Sequence, residues 1–315
     1  MTVRLHVDAW DPSYGSGLHA EGPSGDSTAQ LDTEVEVPDG SWRPLAPAPD
    51  LRAPDVVLLV DGVRRIDARI WVEEADGVVH PGLAASYAAG VVRCDLRRGV
   101  AAVAGARVAR GLFTPSPSAV DVCAGASRYA VHRVAATEPA QLSAAVQPQL
   151  HALEVDVSAE ARGANEDELL VLDGPLRGRQ RLPGTLGYVK SHRVEYLPPT
   201  LSTVVGQLRA GQRCPVFLLG TSWHRYTWYL RLPGPPGSPW AGVVRVEASA
   251  DLTRGEVIRL ADLSAVTLPR FASTPYKDPR APQNLTPVAG LERRLRGMLG
   301  DGRLLYRSLL SAASR

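Results

Sequence analysis

Two Asp-Gly steps, Val60-Asp61-Gly62 and Leu172-Asp173-Gly174, end two apolar runs and lie 112 positions apart. Alone, either pair is a turn signal. Together, on neighbouring strands that point the same way, the two carboxylates would converge at one sheet edge. There they would share hard divalent cations, for which oxygen donors are the natural ligands. Two such cations about 3.5–4 Å apart neutralise the attacking and leaving oxygens of an in-line phosphodiester hydrolysis. Between the two aspartates, Glu154, Asp156 and Glu160 offer a third acid. Wheel geometry mildly favours Glu160, and a place nearer the helix start favours Glu154. A solvated helix face is the ordinary reading of any one of them.

Basic side chains gather after Asp173, at Arg177, Arg179, Arg181, Lys190, His192 and Arg193, with Arg245 further along. They read either as a phosphate-contacting rim or as a solvated loop. Of the 35 basic residues only Lys190 and Lys277 are lysines, and a compact ammonium serves a phosphate oxygen or a crowded metal site differently from a planar guanidinium. The arginine excess accompanies abundant Ala, Gly, Pro and Val, as in a GC-rich coding sequence, so arginine number alone is no argument for nucleic-acid binding. The stretch Trp223-His224-Arg225-Tyr226-Thr227-Trp228-Tyr229 would stack on unpaired bases or fill a core from a strand, and the core reading is favoured.

The elements that must position these groups follow from periodicity. Residues 56–60 form a continuous, largely β-branched run suited to a buried strand that ends at Asp61-Gly62. Residues 65–73 alternate as a half-buried strand, and residues 87–96 and 100–113 complete a meander around Arg97-Arg98-Gly99. Leu142, Val146, Leu150, Leu153, Val157 and Ala161 then recur at helical spacing. Pro148 either kinks that helix or starts it, and Gly163 stops it. Residues 169–172 read as another buried strand. Beyond them come a short helix at 200–210, strands near 215–219, 226–230 and 243–246, and two closing helices at 287–299 and 303–313. Strand, strand, strand, helix, strand is the order of the ribonuclease H fold, in which the first strand, the helix and the fourth strand each supply one acid. The expectation is therefore an α/β protein with a ribonuclease H-like mixed sheet flanked by helices. Residues 1–54 are expected to form an irregular acidic arm ahead of a single domain over residues 55–315.

At this point the sequence resembles the NurA nuclease family, the DNA-end-processing partners of HerA hexameric ATPases. The likeness rests on the run into Asp61-Gly62, on Leu150-His151-Ala152-Leu153-Glu154, on Leu169-Leu170-Val171-Leu172-Asp173-Gly174-Pro175-Leu176 and on Gly187-Tyr188-Val189-Lys190. It continues through Val244-Arg245-Val246-Glu247 and Pro282-Gln283-Asn284-Leu285, covering about residues 54–300. The resemblance implies a nuclease active with Mn2+ (or Mg2+), dimeric and docked on a HerA-type ATPase. Asp61, Glu154 and Asp173 would be its metal ligands and Lys190 would sit beside the scissile phosphate or the DNA strand. On the phosphate-contacting reading of the basic residues, Arg177, Arg179, Lys190, Arg193 and Arg245 would bind the DNA. One departure matters: where the family usually has a histidine, this chain has Gly290. Either Glu292 takes that role, or two-metal chemistry is weakened, or catalysis is lost and the chain is a silent adaptor that dimerises, binds HerA and guides DNA. A glycosidase with paired carboxylates is a distant third reading.

Composition bounds the rest. The 315 residues carry a formal net charge of +2, but residues 1–172 hold 14 basic and 24 acidic side chains against 21 and 9 in residues 173–315. Such asymmetry suits a polyanionic partner for the second half, and equally two halves packed on each other. No apolar run approaches the length of a membrane span, and residues 1–10 lack the pattern of a secretory signal, so a cytoplasmic protein is expected. Three scattered cysteines argue against a disulfide framework or a cysteine zinc site. No phosphate-binding loop of the Gly-x-x-x-x-Gly-Lys-Ser/Thr type occurs, so ATP hydrolysis would come from a partner.

Overall fold

The computed structural model describes residues 29–162, 168–176, 178–179, 182–192, 194–235 and 237–314. Its elements are, in chain order, β1 (Gln30–Asp32), β2 (Val56–Glu73), β3 (Val79–Asp95), β4 (Val100–Thr114), β5 (Val122–Ala124), β6 (Ser127–Arg133), α1 (Pro139–Ala161), β7 (Leu169–Asp173), β8 (Thr185–Val189), α2 (Pro199–Gly206), β9 (Phe217–Gly220), β10 (His224–Arg231), β11 (Val243–Ser249), α3 (Arg254–Thr267), α4 (Thr286–Met298) and α5 (Gly302–Ala313). The architecture is α/β, a large mixed sheet flanked by helices. Eleven strands hydrogen-bond in the order β1-β9-β10-β11-β8-β7-β2-β3-β4-β6-β5. Pairs β7–β8 and β4–β6 are parallel; β1–β9, β9–β10, β10–β11, β11–β8 and β5–β6 are antiparallel. Among the described residues no helix is long and apolar enough to cross a membrane.

The chain divides into two compact units. The first comprises Met1–Leu59, Arg93–Ala101 and Gly163–Ala289, the second Val60–Val92, Ala102–Arg162 and Gly290–Arg315. In the first, β7 and β11 are buried along nearly their whole length, as strands covered on both faces must be. Helix α3 packs on β10, where the indole of Trp228 donates to Ser264 Oγ at 3.0 Å. A capping box of Thr253 and Glu256 starts α3. Arg213, 1 % exposed, makes two hydrogen bonds to Glu36 at 2.7 and 2.8 Å and one to Asp262 at 2.8 Å. That pairing anchors the segment before β2, whose strand β1 lies at the sheet edge.

The second unit is built from the outer parts of β2, β3 and β4, with β5, β6, α1, α5 and most of α4. Ala68, Ala84, Leu112, Tyr129 and Leu309 form one cluster in its core. The buried carboxylate of Asp67 accepts from Arg65 Nε, Ser86 Oγ and Tyr129 Oη, which satisfies a charge that would otherwise be costly to bury. On β3, Gly90 lies in close contact with Leu291 and Leu295 of α4.

The structure corrects several sequence expectations. Residues 56–60 and 65–73 belong to one strand of 18 residues, β2, so Asp61-Gly62 is not a turn. Gly62 lacks a positive φ. Helix α1 begins at Pro139 and includes Pro148; Gly163 lies outside the described residues. Strands β1, β5, β6 and β8 and helix α3 are additional to the sequence reading, β1 lying in the segment expected to be irregular. The three cysteines are free as expected, and burial pushes the Cys94 thiol up to about 11.

Candidate functional site

The expected site residues fall into two groups, one in each unit. In the second unit, Asp61 lies within β2 and its Oδ1 accepts from the Gly62 amide at 2.7 Å. Helix α1 buries Leu142, Val146, Leu150, Glu154 and Val157 on one stripe. Leu150 and Glu154 of that stripe close on Gly62: a Cβ there would lie 2.6 Å from Glu154 Oε1 and 2.7 Å from Leu150 Cδ1. The glycine permits this close approach, which sets Glu154 against the Gly62 position of β2; Asp61, one residue earlier in the same strand, projects to the other face. The three helix acids differ in burial. Glu154 is 4 % exposed, whereas Glu160 and Asp156 are exposed and paired with Arg107, which matches a solvated face. Gly62→Ala is expected to cost about 1–3 kcal/mol through overpacking; chemical denaturation against wild type measures it, and a change below about 0.5 kcal/mol would mean that α1 does not press on Gly62.

In the first unit, Asp173 ends β7, and Gly174 leaves the strand at φ +114°, a conformation that suits glycine. Gly174 exchanges backbone hydrogen bonds of 2.8 and 2.9 Å with Tyr188 on β8. The loop then crosses Gly187, where a Cβ would meet Leu176 N at 2.6 Å. Here too a glycine permits close approach. Lys190, just past β8, donates to Asp173 Oδ2 at 2.5 Å and to Asn284 Oδ1 at 2.8 Å. Asn284 in turn donates to Asp278 at 2.6 Å. Asp173 Oδ1 is buried and has no hydrogen-bond partner among the described residues. Burial and the nearby Asp173 charge hold the Tyr188 hydroxyl well above its usual range, and that hydroxyl donates to the Gln283 carbonyl at 2.6 Å.

The loop is fastened by a residue the sequence reading passed over as an acid, Glu247 of β11. Fully buried, it accepts from Leu176 N at 2.9 Å, Arg225 Nε at 2.9 Å and Arg245 at 3.0 Å. The two guanidiniums also stack on aromatic rings, Arg225 over Trp223 at 4.6 Å and Arg245 over Tyr196 at 5.1 Å. Arg245 is thus committed to Glu247 and Tyr196. Arg179 is buried close to Gly174 and donates to the Pro175 carbonyl. Arg177 and Arg193 lie outside the described residues. A signal for Glu247 was present, since an acid two positions from an arginine on the same face of a buried strand can pair with it. Asn284 is identifiable only through its contact.

His192 is not part of a cationic rim. It donates from Nε2 to the Val243 carbonyl at 3.0 Å and packs against Tyr229 and Trp240. Burial first, and then the Arg245 charge, lower its pKa to about 4. The unfolded chain protonates its imidazole near 6.5. Between those values the unfolded state binds the extra proton, so stability is flat above pH 6.5 and falls as pH drops toward 4, by up to about 3 kcal/mol. Denaturation at pH 7 and pH 5 should show the slope in wild type and lose most of it in His192→Phe; equal slopes would assign it elsewhere. Of the aromatic stretch, Trp228 and Tyr229 are core residues, as favoured from the sequence.

In α4, a Cβ at Gly290 would meet nothing within 4 Å, and Glu292 pairs with Arg296 at 2.6 Å. Among the described residues no group of three or more His, Cys, Asp or Glu side chains is arranged to hold a metal ion; of the expected carboxylates, Asp61 lies in β2, Glu154 is buried on α1 and Asp173 pairs with Lys190. Their oxygen donors, and the unpartnered Oδ1 of Asp173 above all, suit a hard cation in chemical type. Compared with protein-family models and with curated proteins, the chain matches none.

Proposed function

We propose that this protein is a divalent-metal-dependent DNA nuclease of the NurA type, ribonuclease H-like in fold, which processes DNA ends as a homodimer with a HerA-type ATPase. The observation that carries this reading is Asp173: a carboxylate at the end of a buried strand, one oxygen gripped by Lys190 and the other buried with no partner among the described residues. The strand order β4-β3-β2-β7-β8, with α1 between β4 and β7 in sequence, supports it, because a ribonuclease H-like sheet takes its first three strands in that order and adds the fourth beside the first. The ligands of this reading are those the resemblance names, Asp61, Glu154 and Asp173, for Mn2+ or Mg2+. Such a cation neutralises phosphate oxygens and acidifies bound water.

The chain's own contribution is positional. Gly62 lets Glu154 reach β2. Glu247 and Gly187 fix the loop after Asp173, and Asn284 orients the Lys190 ammonium, which offsets the Asp173 charge in a site that DNA must approach. ATP hydrolysis belongs to the translocase partner. The test is cleavage of linear DNA with added Mn2+, with and without a HerA-type ATPase. Metal-dependent cleavage lost on chelation is expected. The open position at Gly290 favours a second reading, the catalytically silent adaptor, and an intact complex with the ATPase that cleaves no DNA would select it.

A further inference from the structure

The first unit contains a cavity of about 530 Å³ between the end of α2, the end of β10, the segment joining β10 to β11 and residues 281–283. Its volume lies within the range of small-molecule sites. Leu208, Pro235 and Pro282 give it apolar wall, and its polar side chains are Arg209, Arg231, Ser238 and Gln283, with no acidic residue among the described lining residues.

Three features require explanation. Arg231 is half-buried; among the described residues its terminal nitrogens donate only to the backbone carbonyls of Gly206, Pro239 and Ala241, and its buried Nε has no partner. Burial lowers its pKa, the direction expected of a cation with no carboxylate beside it. Arg209 is exposed and makes no ion pair among the described residues. Gln283 is 6 % exposed, yet its side-chain amide makes no hydrogen bond among the described residues. A native fold normally satisfies a buried group such as Arg231 Nε, whereas Arg209 faces solvent. Elsewhere in the same unit the buried arginines 213, 225 and 245 each have a carboxylate. A cavity with two uncompensated guanidiniums, one unpartnered amide and a proline-rich wall is complementary to a dianion carrying a flat, weakly polar body.

We infer that this cavity binds a small organic phosphate of mononucleotide size, the phosphate on Arg209 and Arg231 and the body on the proline wall with Gln283 reading its polar edge. Guanidinium is the side chain that best matches a phosphate in fork geometry. The cavity is separate from the Asp173–Lys190 pair, although the chain passes in one residue from its wall at Gln283 to Lys190's partner Asn284.

Calorimetric titration in EDTA with deoxyadenosine monophosphate, deoxyadenosine and inorganic phosphate tests the assignment. Saturable binding of the monophosphate is expected, with deoxyadenosine and phosphate each at least about tenfold weaker, a loss of about 1.4 kcal/mol. Arg231→Gln and, because that variant removes three contacts of the fold, the exposed Arg209→Ala should each weaken the monophosphate about tenfold or more. Asp173→Asn should leave binding unchanged, which separates this site from the nuclease reading. No saturable binding to wild type, unaltered affinity in folded Arg209→Ala, phosphate as tight as the monophosphate, or loss of binding in Asp173→Asn would each overturn it.

Discussion

Asp173→Asn is expected to lower manganese-dependent cleavage of linear DNA by more than about 100-fold, beyond the loss that follows removal of an outer-shell partner of a metal site. The substitution keeps the side-chain volume and one carbonyl oxygen, so the amide can still accept from Lys190. It removes the negative charge and puts an amide on a carbon whose Oδ1 is buried and unpartnered. Stability should fall by about 1–3 kcal/mol, because a largely buried ammonium is left without its counter-charge. That loss is a separate effect and can be isolated. In the double variant Asp173→Asn/Lys190→Gln neither charge remains, and since residues in contact are not additive, much of the stability should return while cleavage stays lost. Cleavage within about tenfold of wild type in either variant would remove Asp173 from the reaction.

Glu247→Ala is expected to cost about 3–5 kcal/mol of folding free energy, the range for breaking a buried ion pair from one side. The reason is local stoichiometry. One buried carboxylate receives two guanidiniums and the Leu176 amide, so its removal leaves two buried cations and a buried N–H without an acceptor. Urea denaturation gives the number directly. Glu247→Gln, which keeps an acceptor oxygen, should lose less than Glu247→Ala. A cost below about 1 kcal/mol for Glu247→Ala would show that Arg225 and Arg245 find other acceptors or water.

The two glycines beside the proposed carboxylates show how far the sequence could be read. Asp173-Gly174 does what a local rule says: the strand ends and the glycine takes a positive φ. Asp61-Gly62, the same dipeptide after the same kind of apolar run, lies within an 18-residue strand. The difference is α1, some ninety positions later in the chain, whose Leu150 and Glu154 press on Gly62. No local signal carries that information. Helix α3 was missed for a related reason. Its buried positions include Ala261, Ser264, Ala265 and Thr267, too small and polar to stand out as an apolar stripe, although Thr253 and Glu256 already spelled its capping box. Strand β8 is short and centred on Gly187, a poor strand former, and it persists because the loop after Asp173 folds across that glycine.

The net charge of +2 concealed an acidic and a basic half. The basic half proves to be partly internal, with Arg213, Arg225 and Arg245 spent on Glu36, Asp262 and Glu247. By itself the sequence determined the α/β class, the meander, the strand ending at Asp173, the closing helices and the core role of Trp228 and Tyr229, because period and chain order are local properties of side-chain pattern. Only the tertiary structure decided that Glu154 rather than Glu160 is the buried helix acid, that Lys190 grips both Asp173 and Asn284, and that His192 is neutral and internal. Each of these depends on which distant segment covers the residue, and burial and pairing are set by packing between segments, not by the residue's own neighbours in the chain.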